Sequence, residues 1–174
     1  TRIPSSAASD VYKRQAEPLR AVVRAMCSAA GSTDYEAELV ADNLVMANLS
    51  GHDSHGVGML PAYFDNLHAG GLKVNQHAEV VRDEGAVLVV DGNAGFGQVI
   101  GKESMDIAIA RAKERGVCVL AIRNSHHLCR IGAWAEQCAA AGLVSMHHTN
   151  VTGHGGIVAP FRGSDGRYVT NPYT

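Results

Sequence analysis

Apolar residues recur at helical spacing over the early part of the chain. Leu19, Val22, Val23 and Met26 fall three and four apart, and Gly31 stops that run. Thr33 followed by Glu36 forms a capping box, which predicts a helix start. Ala37, Val40, Ala41, Leu44 and Val45 then line one face of a second helix that delivers the chain to Gly51. Val57, Leu60, Phe64 and Leu67 predict a third helical segment. Pro61 fits only its first turn, so residues 51–61 are its entrance, and Gly70-Gly71 ends it. The pattern then changes. Residues 78–82 and 86–91 read as two strands joined by a turn, and 98–115 as a helix with charges at its C-terminal end. Residues 117–122 are a continuous apolar run rich in β-branched side chains, the mark of a central strand. A helix over 131–141, ended by Gly142, and a strand over 143–146 follow. Beyond Asn150 the chain is glycine-rich and irregular, with a candidate short strand near Tyr168. There is no internal repeat and no linker that divides domains.

Composition narrows the class. The 174 residues are 46% hydrophobic with a net charge of -2, so a real core is expected and no electrostatic case exists for nucleic acid or an anionic membrane. No run approaches membrane-spanning length. Cys27, Cys118, Cys129 and Cys138 lack CxxC spacing and read as buried thiols in a reducing compartment. Residues 1–15 have neither an apolar signal segment nor a hydrophobic period and read as a disordered or foreign extension.

The chemistry concentrates in the run from Gly51 to Pro61, where His52, Asp53, Ser54 and His55 stand among glycines at 51, 56 and 58. Glycine spares side-chain bulk where something must come close, and a histidine on such a turn can donate or accept a proton. The competing reading is that Asp53 or Ser54 caps a helix and the histidines are solvated. Gly92-Asn93-Ala94-Gly95-Phe96-Gly97 lies between a strand and a helix, the position of a dinucleotide phosphate loop. Its order is GxxGxG rather than GxGxxG, which favours a tight turn for close helix packing. Arg123-Asn124-Ser125-His126-His127 and His147-His148-Thr149-Asn150 stand at strand ends, where functional side chains collect. If those strands are neighbours, both histidine pairs share one rim. Nine histidines raise a metal hypothesis, but no HExxH or Cys-His ligand set is present, so no metal is expected.

These motifs also carry a resemblance. The Ser54-His55-Gly56 signature resembles that of the type-2 malate/L-lactate dehydrogenase family. Residues 91–98, Arg123 to His127, Ala159-Pro160-Phe161 and Thr170-Asn171-Pro172 match in the family's order, from about Ala16 onward. The closest likeness is to its hydroxycarboxylate dehydrogenase branch. The resemblance implies an α/β protein of α+β type. An N-terminal helical subdomain (16–77) would carry the catalytic signature. The first, incomplete part of a mixed-sheet, non-Rossmann NAD(P)-binding domain (78–174) would follow. It implies hydride transfer between NAD or NADP and a small 2-oxoacid or 2-hydroxyacid, malate/lactate-type or aryl. His55 would be the acid/base, with Ser54 and His127 as further candidate catalytic residues. His126, Thr149 and Asn171 are candidates at the cofactor, although Asn171 precedes a proline and equally fits an ordinary turn. Many relatives carry an arginine for the substrate carboxylate where this chain has Met59. Arg130 is the candidate replacement, against the alternative of a surface arginine. The family also implies a cytoplasmic homodimer without a catalytic metal. This chain reaches roughly half the family's extent, so by itself it is expected to be inactive. Competing classes are a non-enzymatic nucleotide-binding module and a histidine-rich metal-binding protein.

Overall fold

A computed structural model describes residues 5–151, with side chains from Gln15 onward. The fold comprises two compact units, one ending at Arg130 and the other starting at Ile131.

The first unit begins with α1 (Ser5–Ala29), which carries Pro18 inside it. Its backbone is helical from Ser5, so the disorder expected over 1–15 does not describe residues 5–15. Val23 and Cys27 are its buried residues in the main core. Leu19, Val22 and Met26, expected on the same face, remain exposed. α2 (Asp34–Leu49) starts as the capping box predicts, with the Thr33 hydroxyl accepting the Glu36 N–H. The second half of the box is replaced. Buried Glu36 instead accepts from the Ser32 hydroxyl at 2.6 Å and the Asn75 N–H at 2.8 Å. The Thr33 N–H donates to Asn75 Oδ1 at 2.7 Å. A tertiary partner thus supplies what the local motif would have supplied. The α2 face from Ala37 to Val45 is buried as its spacing requires.

Two single turns of 3-10 helix, Asp53–His55 and Val57–Met59, lead into α3 (Leu60–His68), with Pro61 in its first turn. Tyr63 is fully buried, and Phe64 and Leu67 pack against the core. That core also takes in Leu72, Phe96, Val99 and Cys129. This core therefore draws on residues from both sides of the boundary expected at 77/78, and the first compact unit runs across it.

The sheet is mixed, in the order β1-β2-β3. β1 (Glu79–Glu84) pairs antiparallel with β2 (Val87–Asp91), with a register shift between Val80 and Arg82. After α4 (Gly97–Arg115), β3 (Val119–Arg123) returns parallel to β2, the right element length for a crossover. The central strand of the described sheet is β2, whose Leu88 and Val90 are fully buried. β3, expected to be central, lies at an edge with Val119 59% exposed. Its apolar run marks a strand suited to burial on both faces, but nothing among the described residues pairs its outer edge.

In the second unit, α5 (Gly132–Ala140) ends at Gly142, which has φ +79°, and the Leu143 N–H closes it on the Cys138 carbonyl at 3.0 Å. Residues 143–146 form no strand; they have no ladder partner among the described residues, and Val144 and Met146 are exposed. The strand expected near Tyr168 lies outside the described residues.

Candidate active site

Two loops build the site, and each is held by its own hydrogen bonds. The first is the 51–59 turn. Asn48, on the last turns of α2, donates from Nδ2 to Asp53 Oδ1 at 2.6 Å and accepts the Val57 N–H on Oδ1 at 2.9 Å. A Cβ at Gly56 would overlap that Asn48 amide. The group that approaches this glycine is therefore a side chain of the protein itself. Asp53 is tied to Asn48, and neither Asp53 nor Ser54 caps a helix. The Ser54 hydroxyl lies 2.9 Å from His55 Nδ1. His52 is exposed and donates from Nδ1 to the Ser50 carbonyl at 3.2 Å.

The second loop joins the exits of β2 and β3. Asn93 and Ala94 adopt left-handed conformations, with φ +51° and +60°. The N–H groups of residues 92–95 all have partners within the protein: the Arg123 carbonyl at 2.8 Å, Asp91 Oδ1 at 2.9 Å, the Asn124 carbonyl at 2.7 Å and the Gly92 carbonyl at 2.7 Å. A phosphate cradle needs such donors unpaired and convergent. This loop spends them on fastening the β3 exit, as its GxxGxG order favours. The Asn93 N–H, with Asn124 and Arg123, holds the Asp91 carboxyl below its usual range. The His126 N–H then bonds the Gly95 carbonyl at 3.1 Å. A Cβ at Gly97 would overlap the His127 carbonyl, so α4 starts directly beneath that histidine.

The two loops meet at His55 and His127, whose ring centroids are 5.3 Å apart at 30°. The Cys129 thiol donates to the His55 carbonyl at 2.8 Å and pins the first loop to the second. Tyr63, from α3, places its hydroxyl 2.8 Å from His127 Nδ1, and Gln98 donates from Nε2 to that same hydroxyl at 3.1 Å. The Tyr63 ring meets His126 edge-on at 5.3 Å and Phe96 at 5.9 Å. Both histidines of the 126–127 pair touch Tyr63 because they lie on a loop, where strand alternation does not apply.

Burial sets the protonation states. It lowers the pKa of His55, with the charge of His52 adding to the effect, and it lowers that of His126. It raises Tyr63 far above its ordinary 10.0 and raises the Cys129 thiol, so both remain protonated donors.

Arg130 is 9% exposed, which removes the surface-arginine alternative; it follows Cys129 directly and offsets part of the burial that raises that thiol's pKa. Met59 packs against the core. Thr149 belongs to the second unit and lies in an irregular stretch, half-buried. Nearby His147 bonds the Ser145 hydroxyl at 3.0 Å. Asn171 lies outside the described residues. Among the described residues no three His, Cys, Asp or Glu side chains gather as a metal site. No described helix is long and apolar enough to cross a membrane. All four cysteines are free, and Cys118 is only partly buried.

Reasoning from the sequence passed over Tyr63, Gln98, Asn48 and Cys129. Tyr63 had a usable signal: it falls on the Leu60–Phe64–Leu67 face, and a buried tyrosine hydroxyl needs a partner.

The family model for malate/L-lactate dehydrogenase matches residues 15–174. The chain belongs to this family. It is 47% identical over 162 residues to hydroxycarboxylate dehydrogenase B of Escherichia coli, covering 93% of this chain and 45% of that protein. It is 42% identical over 136 residues to an L-lactate dehydrogenase of Cupriavidus necator, covering 78% and 39%. A solved E. coli structure that carries the malate/lactate dehydrogenase name superposes with a TM-score of 0.85 at 48% identity, covering 91% of this chain and 44% of that one. The malate dehydrogenase structure from Pyrococcus horikoshii gives 0.75 at 35%, covering 85% and 42%. The chain thus spans less than half the length of these family members.

Proposed function

We propose that this chain is the N-terminal part of an oxidoreductase that interconverts a small 2-oxoacid and its 2-hydroxyacid with NAD or NADP. The observation that carries the reading is the 5.3 Å approach of His55 to His127, two imidazoles far apart in sequence, in the family's signature loop and its later histidine pair. The names of the family members, among them hydroxycarboxylate, L-lactate and malate dehydrogenases, give the substrate class.

His55 is the acid/base. It gives a proton to the substrate oxygen as the carbonyl is reduced and takes one back when the alcohol is oxidised. The adjacent Ser54 hydroxyl orients its Nδ1. His127 stands beside His55 and holds the substrate oxygen by a hydrogen bond. Arg130 is the candidate for the substrate carboxylate, because a guanidinium can grip it with two charged hydrogen bonds. Met59 offers an apolar wall in the place where relatives carry arginine, which suits a bulkier or aromatic substrate side chain.

The nicotinamide supplies or accepts the hydride. The residues present fit its ring end: His126 keeps a buried Nδ1 with no partner among the described residues, available to a carboxamide. Thr149 and Asn171 complete the cofactor candidates. The internally satisfied 92–95 loop supports a dinucleotide held on a fold other than the Rossmann type, and it counts against a nucleotide module built on that loop. A cytoplasmic homodimer is part of the same proposal.

The test is His55→Gln in the full-length enzyme. Turnover should fall about 100- to 10,000-fold while NAD(P)H binding, followed by fluorescence, is retained. Parental turnover would end the assignment.

A further inference from the structure

The geometry points to Tyr63 and Gln98 as positioning residues that hold neutral His127 as its Nε2–H tautomer, a hydrogen-bond donor, and so leave proton exchange to His55. This rests on the proposed oxidoreductase reading, because it assigns a role within that site.

The argument is a count of protons. Gln98 Nε2 carries only donors, so at 3.1 Å from the Tyr63 oxygen it must donate, and the tyrosine must accept. Tyr63 is fully buried and stays a phenol, so it has one proton left to give. Two groups stand within its reach, His127 Nδ1 at 2.8 Å and the Cys129 sulfur. A thiol sulfur is a weak acceptor and an imidazole nitrogen a strong one, so the proton goes to Nδ1. Cys129 does not compete as a donor to His127, since its own S–H is directed at the His55 carbonyl at 2.8 Å. His127 Nδ1 is thereby an acceptor, and the neutral ring carries its hydrogen on Nε2.

Two consequences follow for the reaction. The Nε2–H can donate to a substrate oxygen but cannot take a proton at that nitrogen. His55, whose Nδ1 faces the hydroxyl of Ser54, has no buried phenol against it among the described residues, and proton exchange is assigned to it. Two histidines 5.3 Å apart thus take different duties, and the difference originates in α3 and α4 rather than in either histidine loop. Neither Tyr63 nor Gln98 needs to touch the substrate.

Long-range ¹H–¹⁵N spectra of the full-length enzyme, labelled at histidine nitrogens, read the tautomer directly. His127 signals are assigned by their loss in His127→Gln. The expected result is a protonated Nε2 and an acceptor-type Nδ1 in the unaltered enzyme. Tyr63→Phe should turn this into an averaged mixture and lower kcat/KM about 10-fold, the scale of one lost hydrogen bond. A proton found on Nδ1 in the unaltered enzyme would overturn the inference, since Tyr63 would then accept from His127 rather than donate to it. A fixed Nε2–H that persists in Tyr63→Phe would overturn it as well. Failure of the underlying reading looks different: His127→Gln would then leave turnover at the parental level, whatever tautomer the spectra show.

Discussion

At the scale of the residue, His55 is governed by what its burial does to one proton. Desolvation and the neighbouring His52 lower its pKa from the ordinary 6.5. Near neutral pH it is therefore mostly the free base; under the proposed acid/base role this form serves the oxidative direction, and reduction would require the protonated form. We expect kcat/KM for 2-oxoacid reduction in the full-length enzyme to fall as pH rises through a midpoint below 6.5. The oxidative rate should rise through the same midpoint. Steady-state profiles in both directions check this; a reductive limb that breaks on the alkaline side of 6.5 would contradict it.

At the scale of the element, the site exists because helix ends and loops are locked to each other. Asn48 at the end of α2 bridges the two 3-10 turns, and Gly97 lets α4 begin under His127. The second position yields a prediction whose sign depends on packing. Glycine to alanine in a helix ordinarily stabilises by about 1 kcal/mol. At Gly97 the new Cβ would overlap backbone, the carbonyl of His127, which cannot turn aside as a side chain can. Gly97→Ala should therefore destabilise by about 1–3 kcal/mol and displace His127. Chemical denaturation should show the loss of stability, and kcat/KM should fall with it. A more stable and fully active variant would show that the loop yields without cost.

At the scale of the whole molecule, the core that joins the helices to α4 and the two histidine loops buries titratable groups. Buried His126 has its pKa lowered from 6.5 by desolvation, so the unfolded chain takes up that proton first as pH falls. The folded state is thus at full stability above pH 6.5 and loses stability as pH drops through and below that value. Thermal midpoints should decline on acidification, and His126→Gln should flatten the decline. An equally steep decline in that variant would place its cause elsewhere. The edge position of β3, with Val117 and Val119 exposed, belongs to this scale too.

What the sequence by itself determined are the features set by local periodicity. The α2 face, the Pro61 entrance to α3, the β1–β2 pair, α4 and the turn character of the 92–97 loop were all readable, because each depends on residues within a turn or two of one another. The ordered motifs also identified the family and singled out His55 and His127. Only the tertiary structure decided the rest. It showed that Glu36 serves Asn75 instead of its own helix start, that the partner of Gly56 is Asn48, that β3 lies at an edge of the described sheet, and that residues 143–146 pair with nothing described. It also brought Tyr63 and Gln98 onto His127. The physical reason is common to all of these: a hydrogen-bond partner or a ladder neighbour supplied from a distant segment leaves no spacing in the sequence to read.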